Sequence, residues 1–276
     1  MTILLALAAS LTWGTSDFVA GRASGRIPAR TVVTCSQIVA LLVVTLVVLL
    51  VGLPFPPGAW WLWGALAGVV EGLGLLALYT ALARGPMGVV TPIAGLGVIV
   101  PVAVGVTRGD PITALLGVGL TVAITGAVLA SGPQLTHRRK TGQRAIGLAV
   151  TAALGLGAAM VFVDLGSRIS GVHTLWTMRV ASVLLFLGLA AVTGSGTSVA
   201  RRHLPTLVTI GVADLSATAL FSIATSRGQI SIASVLASLY PVTTIILARW
   251  VANERLRPVQ VVGVLAALCG IALIAL

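Results

Sequence analysis

"EGLGLLALYTALARG" (residues 71–85) and "DLSATALFSIATSRG" (residues 214–228) are one pattern written twice. Glu71 falls on Asp214 and Arg84-Gly85 on Arg227-Gly228, at a constant offset of 143 residues. Farther along, Asp110 pairs with Glu254, Gly119 with Gly263 and Gly126 with Gly270 at an offset of 144, so a single inserted residue separates the two blocks. Self-similarity over this distance divides the 276-residue chain into two related halves.

Both halves are strongly apolar. The chain is 58% hydrophobic and 8% charged, with a mean hydropathy of +1.11, whereas soluble domains carry about a quarter charged residues. A bilayer core needs about 20 apolar residues per helix. Breaks of Arg, Gly, Pro and Asn then delimit ten spans: 2–21, 31–51, 60–83, 87–107, 112–131, 145–167, 173–193, 205–226, 230–250 and 257–276. The expectation is an all-α integral membrane protein, with residues 1–131 as the first five-helix repeat, 132–144 as a basic connecting loop and 145–276 as the second. Five is odd, so the second repeat enters the membrane from the opposite side, and two inverted repeats enclose a central cavity. The first span lacks a basic start and a small-residue cleavage site, and reads as a retained helix.

The net charge of +11 would suggest nucleic acid in a soluble protein, but here the basic residues sort by loop. Loops 1–2, 3–4, 5–6, 7–8 and 9–10 hold thirteen of the seventeen, from Arg22, Arg26 and Arg30 to Arg249, Arg255 and Arg257. Arg108, Arg168 and Arg227 lie on the other side, and Arg179 lies inside helix 7. The positive-inside bias makes the richer side cytoplasmic and turns both termini outward. Anionic lipid is the partner this charge implies, and no nucleic acid. Cys35 and Cys269 lie in apolar helices and read as packing residues, while His137, His173 and His203 lie in or beside loops at headgroup level. No cofactor motif, metal-ligand spacing or nucleophile–base set is present, which argues against an enzyme.

Six acidic residues exist, and four of them fall inside predicted helices: Asp17 in helix 1, Glu71 in helix 3, Asp164 in helix 6 and Asp214 in helix 8. A carboxylate at the bilayer centre costs at least about 2.5–3.5 kcal/mol, so all four should face a shared interior. Glu71 and Asp214 share a repeat position near mid-span. Two carboxyls in one dry cavity are suited to exchanging protons near neutral pH, and the pair is the leading candidate for substrate and proton binding. The competing reading is a helix–helix hydrogen bond made by a permanently protonated acid, with Gly64, Gly68 and Gly72 allowing another helix to approach. Asp17 and Asp164 lie toward opposite mouths of the pathway, each with an arginine nearby, Arg22 at i+5 and Arg168 at i+4, so local ion pairing competes with a role in transport. Arg179, aligned within a residue of Gln37, either pairs with Asp164 or Asp214 or binds a substrate carboxylate. Trp60, Trp61, Trp63 and Trp250 read as an interfacial belt. Trp13, Tyr79, Trp176 and Tyr240 sit at depths where they either line a cavity or pack in the core.

The opening "LTWGTSDFVAGR" (11–22), the stretch Pro241–Gly270 with "NERL" at 253–256, and its weaker first-half copy with "RGDP" at 108–111 resemble the two EamA-type repeats of the drug/metabolite transporter superfamily. Asp110 stands where that family usually shows Glu. The resemblance implies ten helices, a cavity lined by helices 1–4 and 6–9, peripheral helices 5 and 10, an arginine inside helix 2 or 7, solute export, and both termini in the cytoplasm. The last point conflicts with the charge bias, because the uncharged loop "VGLPFPPGAW" (51–60) stands opposite the basic loops.

Together these readings predict a secondary active transporter in the inner or plasma membrane. It would export a small organic solute such as a metabolite, amino acid or drug in exchange for protons, as a monomer or homodimer. The alternatives are an uncoupled facilitator or channel, and a non-transporting membrane scaffold. Each helix carries too few ionisable groups for a polar channel lining, and the loops are too short for scaffold docking segments.

Overall fold

The computed structural model describes residues 1–109, 114–131, 139–193, 200–253 and 258–274. Among these, every regular element is helical: α1 (Thr2–Ser24), α2 (Ala29–Val51), α3 (Trp60–Leu82), α4 (Met87–Gly95), α5 (Ile99–Thr107), α6 (Ala114–Ser131), α7 (Arg139–Thr193), α8 (Leu204–Ser226), α9 (Ile230–Ala237), α10 (Tyr240–Val251) and α11 (Pro258–Ile274), with short 3-10 turns at Leu96–Val98 and Arg201–His203. Seven helical stretches among the described residues are long and apolar enough to cross a membrane. Exposed leucines on their outer faces, such as Leu42, Leu49, Leu154 and Leu184, suit lipid contact, since only helices with all backbone bonds internal are stable there. Asp110, Glu254, Arg138, His137, Arg255 and Arg257 lie outside the described residues.

Three stretches bend, two of them at a proline. The long α7 has one non-helical residue, Ser170 (φ −161°, ψ 108°), which separates a segment before it from one after it. It also starts at Arg139, inside the connecting loop expected over 132–144. α9 ends at Ala237 and α10 starts at Tyr240 with a proline in its first turn. Pro241 lacks an N–H and its ring would meet the carbonyl of Ala237, so the helix breaks and restarts. In the other half, the 3-10 turn at Leu96–Val98 interrupts α4 and α5, with Pro101 just beyond it acting in the same way on Gly97.

Glycine sets how closely these elements approach. A Cβ on Gly64 would collide with the Thr174 carbonyl oxygen and one on Gly68 with that of Met178, which lets α3 lie directly on the second segment of α7, its main partner. A Cβ on Gly211 would strike the Ser36 carbonyl oxygen, one on Gly14 that of Tyr240, and one on Gly157 that of Gly97. These contacts come in exchanged pairs. Adding 143 to Gly14 and subtracting it from Tyr240 converts the Gly14–Tyr240 contact into Gly157–Gly97, and Gly68–Met178 becomes Gly211–Ser36 to within one residue.

α6 and α11 pack chiefly on each other and touch the rest mainly through α4. Some sequence readings change here. Trp60 is buried rather than interfacial and donates its indole N–H to the Pro56 carbonyl (2.8 Å), while Trp61 and Trp250 are exposed as a belt requires. Cys269 is exposed instead of packed, and Cys35 is half-buried. His173 is buried, accepts from or donates to Ser170 Oγ at 2.8 Å, and lies tilted against Phe55 (4.7 Å) and Trp60 (5.3 Å).

Gly68→Ala and Gly211→Ala should each destabilise the protein by about 1–3 kcal/mol, the range for overpacking a close contact. Gly147→Ala, with open space around it, should be neutral or slightly stabilising. Thermal unfolding in detergent would separate these outcomes.

Candidate functional site

α1, α3, α7, α8 and the α9–α10 break line a cavity of about 60 Å³. Its polar side is made by Trp13, Asp17, Glu71, Asp214, Ser238 and Tyr240; Leu75, Met160, Val163, Met178 and Phe221 form the apolar side. Among the described residues, α6 and α11 contribute no lining side chain.

Arg179 is the organising group in the wall. It is fully buried, projecting from the second segment of α7. Its Nη1 donates to Gln37 Oε1 (2.8 Å) on α2 and to Glu71 Oε2 (2.5 Å) on α3. Its Nη2 donates to Thr218 Oγ1 (2.9 Å) on α8, a hydroxyl that in turn donates to the Asp214 carbonyl one turn back (2.8 Å). Asp214 Oδ2 lies 3.1 Å from Nη1 yet accepts no hydrogen bond, and Arg179 Nε has no partner. The reason is valence: Nη1 has two hydrogens, and both are taken. The Trp13 indole and the Gln37 amide are within hydrogen-bonding reach of the Asp214 carboxylate.

The four intrahelical acids therefore divide three to one. Asp17, Glu71 and Asp214 border the same cavity. Asp164 does not reach it. Its carboxylate, wholly buried, receives Arg108 Nη1 at 2.7 Å and Arg168 Nε at 3.1–3.2 Å. The i+4 arginine takes Asp164 as helical geometry favours, and Arg108 from α5 adds a second hold. Arg22, at i+5, leaves Asp17 alone and places its guanidinium 5.8 Å over the Phe18 ring. Arg179 pairs with Glu71 and Asp214 and makes no contact with Asp164.

The candidate aromatics separate too. Trp13 and Tyr240 line the cavity, and Trp13 tilts against Phe221 at 5.7 Å. Tyr79 is buried behind it, beside Ser16 and Asp17. Trp176 joins Phe55 in an aromatic cluster and donates its indole N–H to Thr45 Oγ1 (3.1 Å). Sequence reasoning missed Thr218 and Ser238. Thr218 was findable as the polar residue one turn after Asp214 on the same face, and Ser238 as the polar residue just before the Tyr240-Pro241 breaker.

A multi-pass helical membrane protein with buried charges around an internal cavity is thus defined by its geometry. Both halves, residues 1–132 and 143–276, match the model of the EamA-like transporter family. The chain belongs to that family and is a membrane transporter. A solved crystal structure 16% identical in sequence superposes with a TM-score of 0.74, covering 99% of this chain and 95% of the other, a likeness of fold. None of the curated proteins matches the chain.

Arg179→Leu should cost about 3–5 kcal/mol, because it strands two buried carboxylates. Adding Glu71→Gln and Asp214→Asn to Arg179→Leu should recover a large part of that loss, since the charges left unpaired are removed with it. A set of unfolding curves in detergent for the single, double and triple variants measures the coupling.

Proposed function

We propose that the protein is a secondary active transporter of the inner or plasma membrane that exports a small organic solute in exchange for protons. Access to the cavity alternates between two inverted five-helix repeats of ten spans in all. The observation that carries this reading is the meeting of Glu71 and Asp214, equivalent in the two halves, at one guanidinium beside the cavity.

Charge conservation gives the arrangement its chemistry. Two carboxylates share one cation, so the trio holds a surplus of one negative charge, which in a buried site must be answered by a proton or by a cationic group. Proton and solute then exclude one another through charge, as antiport requires. The idle Nε of Arg179 and the unbonded Oδ2 of Asp214 supply a second arrangement: a turn of the guanidinium moves its hydrogen bonds from Glu71 toward Asp214.

Support for the inverted repeats comes from the exchanged glycine contacts and from the site itself. Arg179–Glu71 on one side answers Gln37–Asp214 on the other to within one residue of that offset. Two halves related in this way have two equivalent ways of packing, which is the basis of alternating access.

The solute is identified by comparing metabolites exported by cells with and without the protein, and flux is then followed in vesicles under an imposed pH gradient. Glu71→Gln and Asp214→Asn should each abolish pH-driven uphill transport while the protein stays folded. Uphill transport unchanged in both variants would sink the proposal, and wild-type flux indifferent to the gradient would leave an uncoupled facilitator.

Orientation follows the basic loops: both termini outside. In a background of Cys35→Ala and Cys269→Ala, a membrane-impermeant maleimide applied to intact cells should label Pro57→Cys and spare Arg22→Cys. The reverse pattern places the termini in the cytoplasm.

A further inference from the structure

The three cavity acids do not have equal partners. Glu71 and Asp214 share Arg179, whereas no hydrogen bond or ion pair reaches the Asp17 carboxylate among the described residues. Asp17 is nonetheless 5% exposed, and what it shows borders the cavity. Tyr240 lines the same cavity, and its hydroxyl is buried without a hydrogen-bond partner. Both groups lack what Asp214 Oδ2, itself without a hydrogen bond, still has: a guanidinium nitrogen 3.1 Å away. Buried polar groups are rarely left so, and an acceptor pair of this kind asks for a donor from elsewhere.

The rest of the lining says what that donor is attached to. Trp13 presents an indole beside Asp17, and an aromatic face attracts a cation. Leu75, Met160, Val163 and Phe221 add apolar, uncharged surface to the same cavity, Phe221 against Trp13 itself. When the Arg179 trio has taken up one proton it is neutral, and Asp17 is then the cavity carboxyl still to be answered by a proton or a cationic group.

The geometry points to Asp17, Trp13 and Tyr240 as the head-group subsite for a monocationic amphipathic amine. Its ammonium donates to the Asp17 carboxylate and the Tyr240 hydroxyl oxygen, and its apolar body lies on Met160, Val163 and Phe221. The amine and the exchanged proton then occupy different atoms, and oppose each other through the charge they add to one small cavity. Taking the cavity as the solute site rests on the transport function proposed above, so binding is measured apart from flux.

Purified protein in lipid nanodiscs is titrated calorimetrically, without a pH gradient, with phenethylamine, 2-phenylethanol and phenylacetate. These probes share a body and differ in the charge of the head. Phenethylamine should bind at least about ten-fold tighter than the other two, as expected for a charged hydrogen-bonding partner. Asp17→Asn should remove that preference, Asp17→Glu should keep it, and Tyr240→Phe should weaken the amine alone. Equal binding of amine and alcohol, no amine binding, or an amine preference intact in Asp17→Asn overturns the assignment. So does a preference lost in Glu71→Gln and kept in Asp17→Asn, which puts the ammonium on the Arg179 trio. Should Asp17→Asn fail to fold, the wild-type comparison with Tyr240→Phe decides: an amine affinity unaltered by loss of the hydroxyl overturns the subsite. Amine binding at Asp17 without pH-driven flux refutes the coupling and leaves the subsite standing; coupled flux without amine binding does the opposite.

Discussion

A guanidinium taken out of water into a helical bundle is tolerated only when its charge and its hydrogens are answered together, since desolvation costs several kcal/mol per ion. Arg179 meets that condition with groups from four elements: its own α7, Gln37 on α2, Glu71 on α3 and Thr218 on α8. The position of each helix is constrained by having to deliver one short polar side chain to the same point. The glycines of α3 make this possible, because only backbone-to-backbone approach brings Glu71 within 2.5 Å of a group on α7. Packing and chemistry are therefore one requirement: a bulkier residue at Gly68 pushes the acid away from its cation.

The same constraint explains why the acids differ. Asp164 is saturated by Arg108 and Arg168, whose side chains are a third and a half exposed, and joins α5 to the first segment of α7 at one rim of the bundle. It serves cohesion between elements. Glu71 and Asp214 are undersupplied by a single cation, and Asp17 has none. A gradient of satisfaction thus runs from the rim to the cavity, and chemistry concentrates where satisfaction is least.

Much of the fold was legible because hydropathy and repetition act locally. Spans, breaks and the Glu71–Asp214 correspondence follow from residue order alone, since a proline disrupts its own turn and a duplication leaves a constant offset. The break after Ala237 was written in Pro241, whereas the bend at Ser170 had no comparable breaker. What was not legible is long-range capture. Helical spacing pointed Asp164 to Arg168, but Arg108 lies 56 residues away and arrives only through packing of α5 on α7. Arg179 had Asp164 and Asp214 as its candidate partners; packing joins it to Asp214 and also to Glu71, which the sequence reading had not paired with it. His173 and Trp60 read as interfacial by position, and were drawn inward when Phe55 of the connecting loop folded over them.

The glycine–carbonyl contacts of α1 with α10 and of α7 with the turn before α5 have a kinetic side. Interlocked side chains resist relative motion because rotamers must unlatch before one helix can pass another. Where bare backbone rides on a carbonyl oxygen, there is no rotamer to unlatch. At the α1–α10 seam the Thr244 hydroxyl donates across to the Gly14 carbonyl (3.0 Å), so one hydrogen bond stands where interlocked side chains otherwise would, and both seams lie next to interrupted spans. In the alternating-access function proposed above, the resistance to movement would then lie with the Arg179 trio more than with the apolar core.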